Sequence, residues 1–145
     1  KNVNVKKTLL KMGTVNVIVE KTSTGYSAYM PDVPGVVSVG DTFNELRLNV
    51  QEAITLYLET ATEFGDKIPD LLSKEYQLAF RFDIQTFMEW LSKVMSQKGL
   101  SDIAGMNESL ISQYANGVKN PGPKQLKRME NALHQFADDL HAISF

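Results

Sequence analysis

GYSAYMPDVPGVVSVGDTFNELRLNVQEAITLYL, residues Gly25 to Leu58, decides the fold. Gly25 permits a turn, and Tyr26, Ala28 and Met30 alternate with Ser27 and Tyr29, so the run reads as a strand with one buried face. Two prolines and a glycine in Pro31 to Gly35 interrupt it before Val36 to Val39 resumes extended character. Gly40 and Asp41 then give way to a helix announced by Thr42 and Glu45 at capping-box spacing, where a side chain satisfies a backbone N–H of the opening turn. Phe43, Leu46, Val50, Ala53, Ile54, Tyr57, Leu58, Ala61 and Phe64 form a helical stripe, and Gly65 stops it. One helix face therefore docks on a small sheet.

Working outward, Val15, Val17 and Val19 alternate with Asn16, Ile18 and Glu20, a β-branched strand that pairs with Gly25 to Met30 as a hairpin. After the helix, Tyr76, Leu78, Phe80 and Phe82 alternate with Gln77, Ala79, Arg81 and Asp83. The order is β-β-β-α-β. Beyond Asp83 the period changes from two to 3.6, which places a domain boundary there: residues 1–83 form a small mixed domain and 84–145 an all-helical one, an α+β chain overall. In the second part, Ile84, Phe87, Met88, Leu91, Val94 and Met95 read as one helix closed by Gly99. At the end of the chain, Gly122 and Pro123 open a helix whose Leu126, Met129, Leu133, Phe136, Leu140 and Ile143 recur at three-four spacing. The first five are candidate dimerisation residues, and the seam suits either the domain's own core or a second chain.

At 145 residues, 43% hydrophobic and 22% charged, the composition is that of a globular protein with one ordinary or two small domains. The absence of cysteine removes disulfides, thiolate metal sites and a cysteine nucleophile together. No apolar run approaches membrane-spanning length and no signal-peptide pattern opens the sequence, so a cytoplasmic protein is expected. The net charge of -2 conceals a division along the chain. Lys1, Lys6, Lys7 and Lys11 make a basic arm, read as solvated, whereas Glu20 to Asp83 carries eleven acids against five bases. Residues 84–145 are balanced, but Lys119, Lys124, Lys127 and Arg128 stand together without an acid among them. An acidic first domain suits a basic protein partner, and a local basic cluster suits phosphates.

The motif order strand, Y-x-A-Y-x-P-D-x-P-G, strand, G-D-T and a helix ending A-I-x-L-Y-L-E resembles the HicB-type antitoxins over about residues 14–82. That resemblance implies a partial ribonuclease-H-like fold. It implies as well a domain that binds and occludes a small basic messenger-RNA-cleaving toxin of the HicA type. Tyr29, on the strand face opposite Tyr26, and Asp32 are candidate toxin contacts. Residues Leu100 to Pro121, LSDIAGMNESLISQYANGVKNP, resemble a helix-turn-helix of the XRE or lambda-repressor-like class. In this reading Gly105 and Met106 form the turn, Asn107 caps the second helix, and Leu110 and Ile111 face the core. Leu100 to Ala104 forms a first helix about a turn shorter than usual.

The exposed face of the second helix then offers Asn107, Glu108, Ser109, Ser112, Gln113 and Asn116 to base edges, with Lys119 and Lys124, backed by Lys127 and Arg128, as phosphate clamps. The implied function is an antitoxin of a type II toxin-antitoxin pair that neutralises its toxin and represses its own operon as a dimer or tetramer. The alternative is a free-standing regulator whose first domain oligomerises or senses another ligand. Nuclease chemistry would require clustered carboxylates around metal ions. Glu20 ends a strand, Asp32 and Asp41 lie in turns and Glu45 is spent as a cap. His134 and His141 read as solvent-facing. No catalytic residue, metal or cofactor is therefore expected.

Overall fold

The computed structural model describes residues 12–145, and the basic arm Lys1 to Lys11 lies outside the described residues. The chain divides into two compact units between Phe82 and Asp83.

The first unit contains β1 (Gly13–Lys21), β2 (Tyr26–Tyr29), β3 (Val37–Gly40), helix α1 (Phe43–Glu63), a short α2 (Asp70–Ser73) and β4 (Tyr76–Arg81). The sheet order is β3-β2-β1-β4. Strand β1 runs antiparallel to β2 and parallel to β4, and β2 runs antiparallel to β3. Alternation along β1 buries Val15, Val17 and Val19, and these meet Leu46, Val50 and Ile54 of α1 in one core. Each such aliphatic side chain contributes about 1.5–3 kcal/mol relative to exposure. Between β2 and β3 the proline-rich turn folds inward, so Val33 and Val36 join this core. Phe43 receives Phe80 and Phe82 edge-on, at 5.4 and 4.9 Å between ring centroids.

Thr42 Oγ1 accepts the backbone N–H of Glu45 at 3.1 Å, as the capping signal requires. At the other end, Gly65 adopts φ +69 beyond the C-cap Phe64. Phe64 itself is exposed, which ends the buried stripe at Ala61. Gly25 is required by close approach: a Cβ there would fall well inside contact distance of the Gly40 carbonyl oxygen and 2.7 Å from Asp41 Cα.

The second unit comprises α3 (Ile84–Leu91), α4 (Gln97–Ala104), α5 (Glu108–Ala115) and α6 (Pro123–Ala142). Its core gathers Met88, Leu91, Leu100, Ala104, Met106, Ile111, Tyr114 and Met129. Asp83 caps α3 by accepting the N–H and hydroxyl of Thr86 at 2.9 and 2.7 Å. Partial burial pushes the Asp83 carboxyl up, but these bonds outweigh it and hold the group below its ordinary range.

The structure corrects the single helix expected from Ile84 to Met95. Helix α3 stops at Leu91, Lys93 and Val94 turn tightly back onto Trp90 and Leu91, and Val94 is left exposed. Ser96 then caps a new helix by accepting the N–H of Gly99 at 3.0 Å. Gly99 thus lies in the first turn of α4 rather than closing α3.

Candidate nucleic-acid interface

Because Ser96 opens α4, the first helix of the helix-turn-helix has eight residues, the same length as α5, and the shortened helix read from Leu100 to Ala104 is corrected. The turn between them follows from three local devices. Gly105 ends α4 in the left-handed conformation at φ 61, where a β-carbon would be strained. The Ser101 hydroxyl donates to the Met106 carbonyl. Asn107 then opens α5 by accepting the Ser109 N–H through Oδ1 at 2.8 Å. Ile111 and Tyr114 are buried beneath, which fixes the rotation of α5 about its axis and decides which side chains face out.

Asn107, Glu108, Ser109 and Asn116 are exposed, and Ser112 and Gln113 are half-buried along the same helix. Asn116 Nδ2 donates to Ser112 Oγ at 3.4 Å, which ties the two together one turn apart. Asn107 spends its carboxamide oxygen on the cap and retains amide donors. Glu108 supplies only acceptors when ionised, suited to a cytosine amino group and unsuited to phosphate. The C-terminal end of α5 is closed by the Gln113 carbonyl, which accepts from Val118 and Lys119 N–H at 3.0 and 3.2 Å, with Gly117 at φ 73. This turn fixes the backbone of Lys119, and Lys119 and Lys124 are both exposed beyond it.

Arg128 is engaged within the unit itself. Its Nε donates to the Ala104 carbonyl at 3.0 Å and a terminal nitrogen to the Gly105 carbonyl at 2.6 Å, so the guanidinium caps α4 and fastens α6 to the turn. Lys127 lies 3.9 Å from Glu130 on the helix surface. The corrected start of α4 leaves Gln97 exposed at its first position. The first helix of such a motif crosses the DNA backbone and a helix N-terminus attracts phosphate. The Ser96 cap was the available signal, masked by reading Gly99 as a stop.

The apolar seam of α6 is split. Met129 is 2% exposed within the unit's own core and is unavailable to a second chain, while Leu133 is partly buried against the same core. Leu126, Leu140 and Ile143 are exposed, and Phe136 is half-exposed. His134 and His141 are exposed. In the first unit, Tyr26 is buried whereas Tyr29 and Asp32 are exposed. Among the described residues no group of three or more His, Asp or Glu side chains is arranged to hold a metal ion, and no helix is long and apolar enough to cross a membrane.

Two capped helices at a glycine turn, with polar groups on the outward face of the second, define the class, a helix-turn-helix DNA-binding protein, and residues 92–134 match the family described as Helix-turn-helix. Residues 15–107 match the family described as HicB_like antitoxin of bacterial toxin-antitoxin system. The chain belongs to this antitoxin family. It is 42% identical over 53 residues to an uncharacterized 14.9 kDa protein in the rep-hol intergenic region of Haemophilus phage HP1, covering 37% of this chain and 40% of that protein. It is also 43% identical over 44 residues to a UPF0150 protein of Helicobacter pylori (30% and 61%) and 42% identical over 52 residues to a UPF0150 protein of Synechocystis (34% and 66%). The chain thus spans less than two thirds of the first two relatives.

Proposed function

We propose that this antitoxin acts in the cytoplasm, neutralises an mRNA-cleaving HicA-type toxin through its acidic first unit, and represses its own operon by binding the operator through α5. It has no catalytic role in this reading. The observation that carries the DNA half is the outward row Ser109, Ser112, Gln113 and Asn116 on a helix whose rotation is fixed by Ile111 and Tyr114. Amides and hydroxyls so placed match major-groove edges, and Lys119 and Lys124 beside them match phosphates.

Two copies act together. The exposed Leu126 and Leu140 of α6 and Ile143 at its C-cap, with Phe136 between them, supply an apolar strip outside the unit's core, and a palindromic operator requires two recognition helices about one DNA turn apart. Met129 and Leu133 pack in the unit's own core and do not join the strip.

The test is a mobility-shift titration of the full chain against the duplex upstream of its own gene and a scrambled duplex. Preferential binding to the upstream duplex, abolished when Ser112 and Gln113 are both changed to alanine, is expected. Equal affinity for the two duplexes would refute operator recognition.

A further inference from the structure

The inner face of the sheet is covered by α1, and the outer face carries an apolar group that the core does not use. Tyr29, Val37 and Val39 are 42%, 68% and 66% exposed on two adjacent strands. Tyr29 pairs with Val37 and Ser27 with Val39, and Ile18 of β1 lies beside Tyr29 on the same face. The Met30 N–H donates to the Val36 carbonyl at 3.3 Å, so by the alternation of an antiparallel ladder Tyr29–Val37 and Ser27–Val39 are the non-hydrogen-bonded pairs, whose side chains stand closest together. Acids border this group: Glu20 pairs with Ser27 across the sheet, Asp32 follows Tyr29 by three residues, and Asp41 follows Val39 by two. Among the described residues the base on this face is Arg81, opposite Ile18, with its Nε committed to Asn16 Oδ1 at 2.9 Å.

We propose that this outer sheet face, centred on Tyr29, Val37 and Val39 and bordered by Glu20, Asp32 and Asp41, is the surface on which the antitoxin receives its toxin. This rests on the reading that a basic toxin partner exists. An apolar centre within a polar rim is the anatomy of a protein interface, and an acidic rim selects a basic occupant. Two features oppose a second copy. The backbone groups of Val37 and Val39 point to the open edge of β3, where Asn49 Nδ2 from α1 already donates to the Val39 carbonyl at 2.8 Å, so strand addition at that point would have to displace it. Face-to-face pairing about a two-fold axis would set the acids of one copy against those of the other.

The experiment compares full-length Val39→Arg and Val37→Ser with Leu48→Arg, which makes the same charge change on the exposed face of α1. The probe is a purified HicA-type mRNA-cleaving toxin, and binding is followed by calorimetry. Operator mobility shift and circular dichroism report folding. At least a tenfold loss of toxin binding is expected for Val39→Arg, a smaller loss for Val37→Ser, and less than twofold for Leu48→Arg. Wild-type affinity in both sheet-face variants would overturn the proposed surface while leaving the antitoxin reading intact. No binding by the wild-type chain would overturn the toxin reading itself and this surface with it. A loss of oligomerisation in Val39→Arg at unchanged toxin affinity would assign the face to a second copy and overturn the proposal.

Discussion

Replacing Arg128 with alanine separates two roles that a basic residue near a DNA-binding helix can have. In the structure its guanidinium makes two hydrogen bonds to the carbonyls that end α4, at 3.0 and 2.6 Å. Bonds from a charged donor contribute roughly 1.5–3 kcal/mol each when protected. Here the group lies near the surface, so solvent reduces the pair to a combined cost of about 1–2 kcal/mol. Trp90, the chain's one tryptophan, sits in the same unit beside Phe87, so its fluorescence reports unfolding of the helical part. With a urea slope of about 1 kcal/mol/M for so small a unit, the midpoint for Arg128→Ala falls by roughly 1–2 M. The salt dependence of DNA binding remains that of the wild type, because no phosphate contact is lost. An unchanged midpoint, together with a salt slope lowered by about 0.9 for each contact, would refute the capping role and restore Arg128 as a clamp.

Gln113→Ala is expected to cost about 1–3 kcal/mol on the operator and to relax preference at one base position, whereas Lys119→Ala weakens all duplexes alike and lowers the salt slope by about 0.9 per phosphate. Salt titrations on operator and scrambled duplexes distinguish the two. Asp83→Asn keeps a capping acceptor but removes its charge, and is expected to destabilise the helical unit by roughly 0.3–1 kcal/mol near neutrality. Because the folded carboxyl is held below its ordinary value, its contribution is complete above the unfolded pKa of ~3.9 and is lost as pH falls through the folded value. Urea midpoints of the two proteins should therefore converge in acid, and a gap that widens there would count against the cap. Gly25→Ala forces a Cβ against the Gly40 carbonyl oxygen and Asp41 Cα, both backbone, and should cost about 1–3 kcal/mol in the sheet unit. Denaturation followed by circular dichroism measures it.

Much of this architecture is legible in the sequence because local and tertiary demands coincide. Thr42 and Gly65 bound α1, Gly105 and Asn107 form the turn, and the alternation of Val15, Val17 and Val19 gives the buried face of β1. Sequence and structure part where a residue has two local meanings. Gly99 reads as a helix stop, yet glycine also fits a first turn when a serine three residues earlier accepts its N–H. The three-four spacing of α6 is uniform, but burial is not. Met129 belongs to the unit's core and Leu140 does not, because the apolar partners that cover the helix lie on α4 beside its first half. Arg128 looks like its lysine neighbours until the fold brings the Ala104 and Gly105 carbonyls, more than twenty residues away in sequence, to its guanidinium. Val37 and Val39 continue the apolar run of Val36, and only the pairing with β2 assigns them to the outer face.

Neutralisation can be measured by titrating the full chain into a cleavage reaction that contains messenger RNA and a purified HicA-type toxin, the proposed partner. Cleavage should fall in proportion to added antitoxin and reach background near equimolar amounts, at salt low enough to preserve the acidic-to-basic attraction. Undiminished cleavage at a tenfold excess of folded, operator-binding protein would contradict the account.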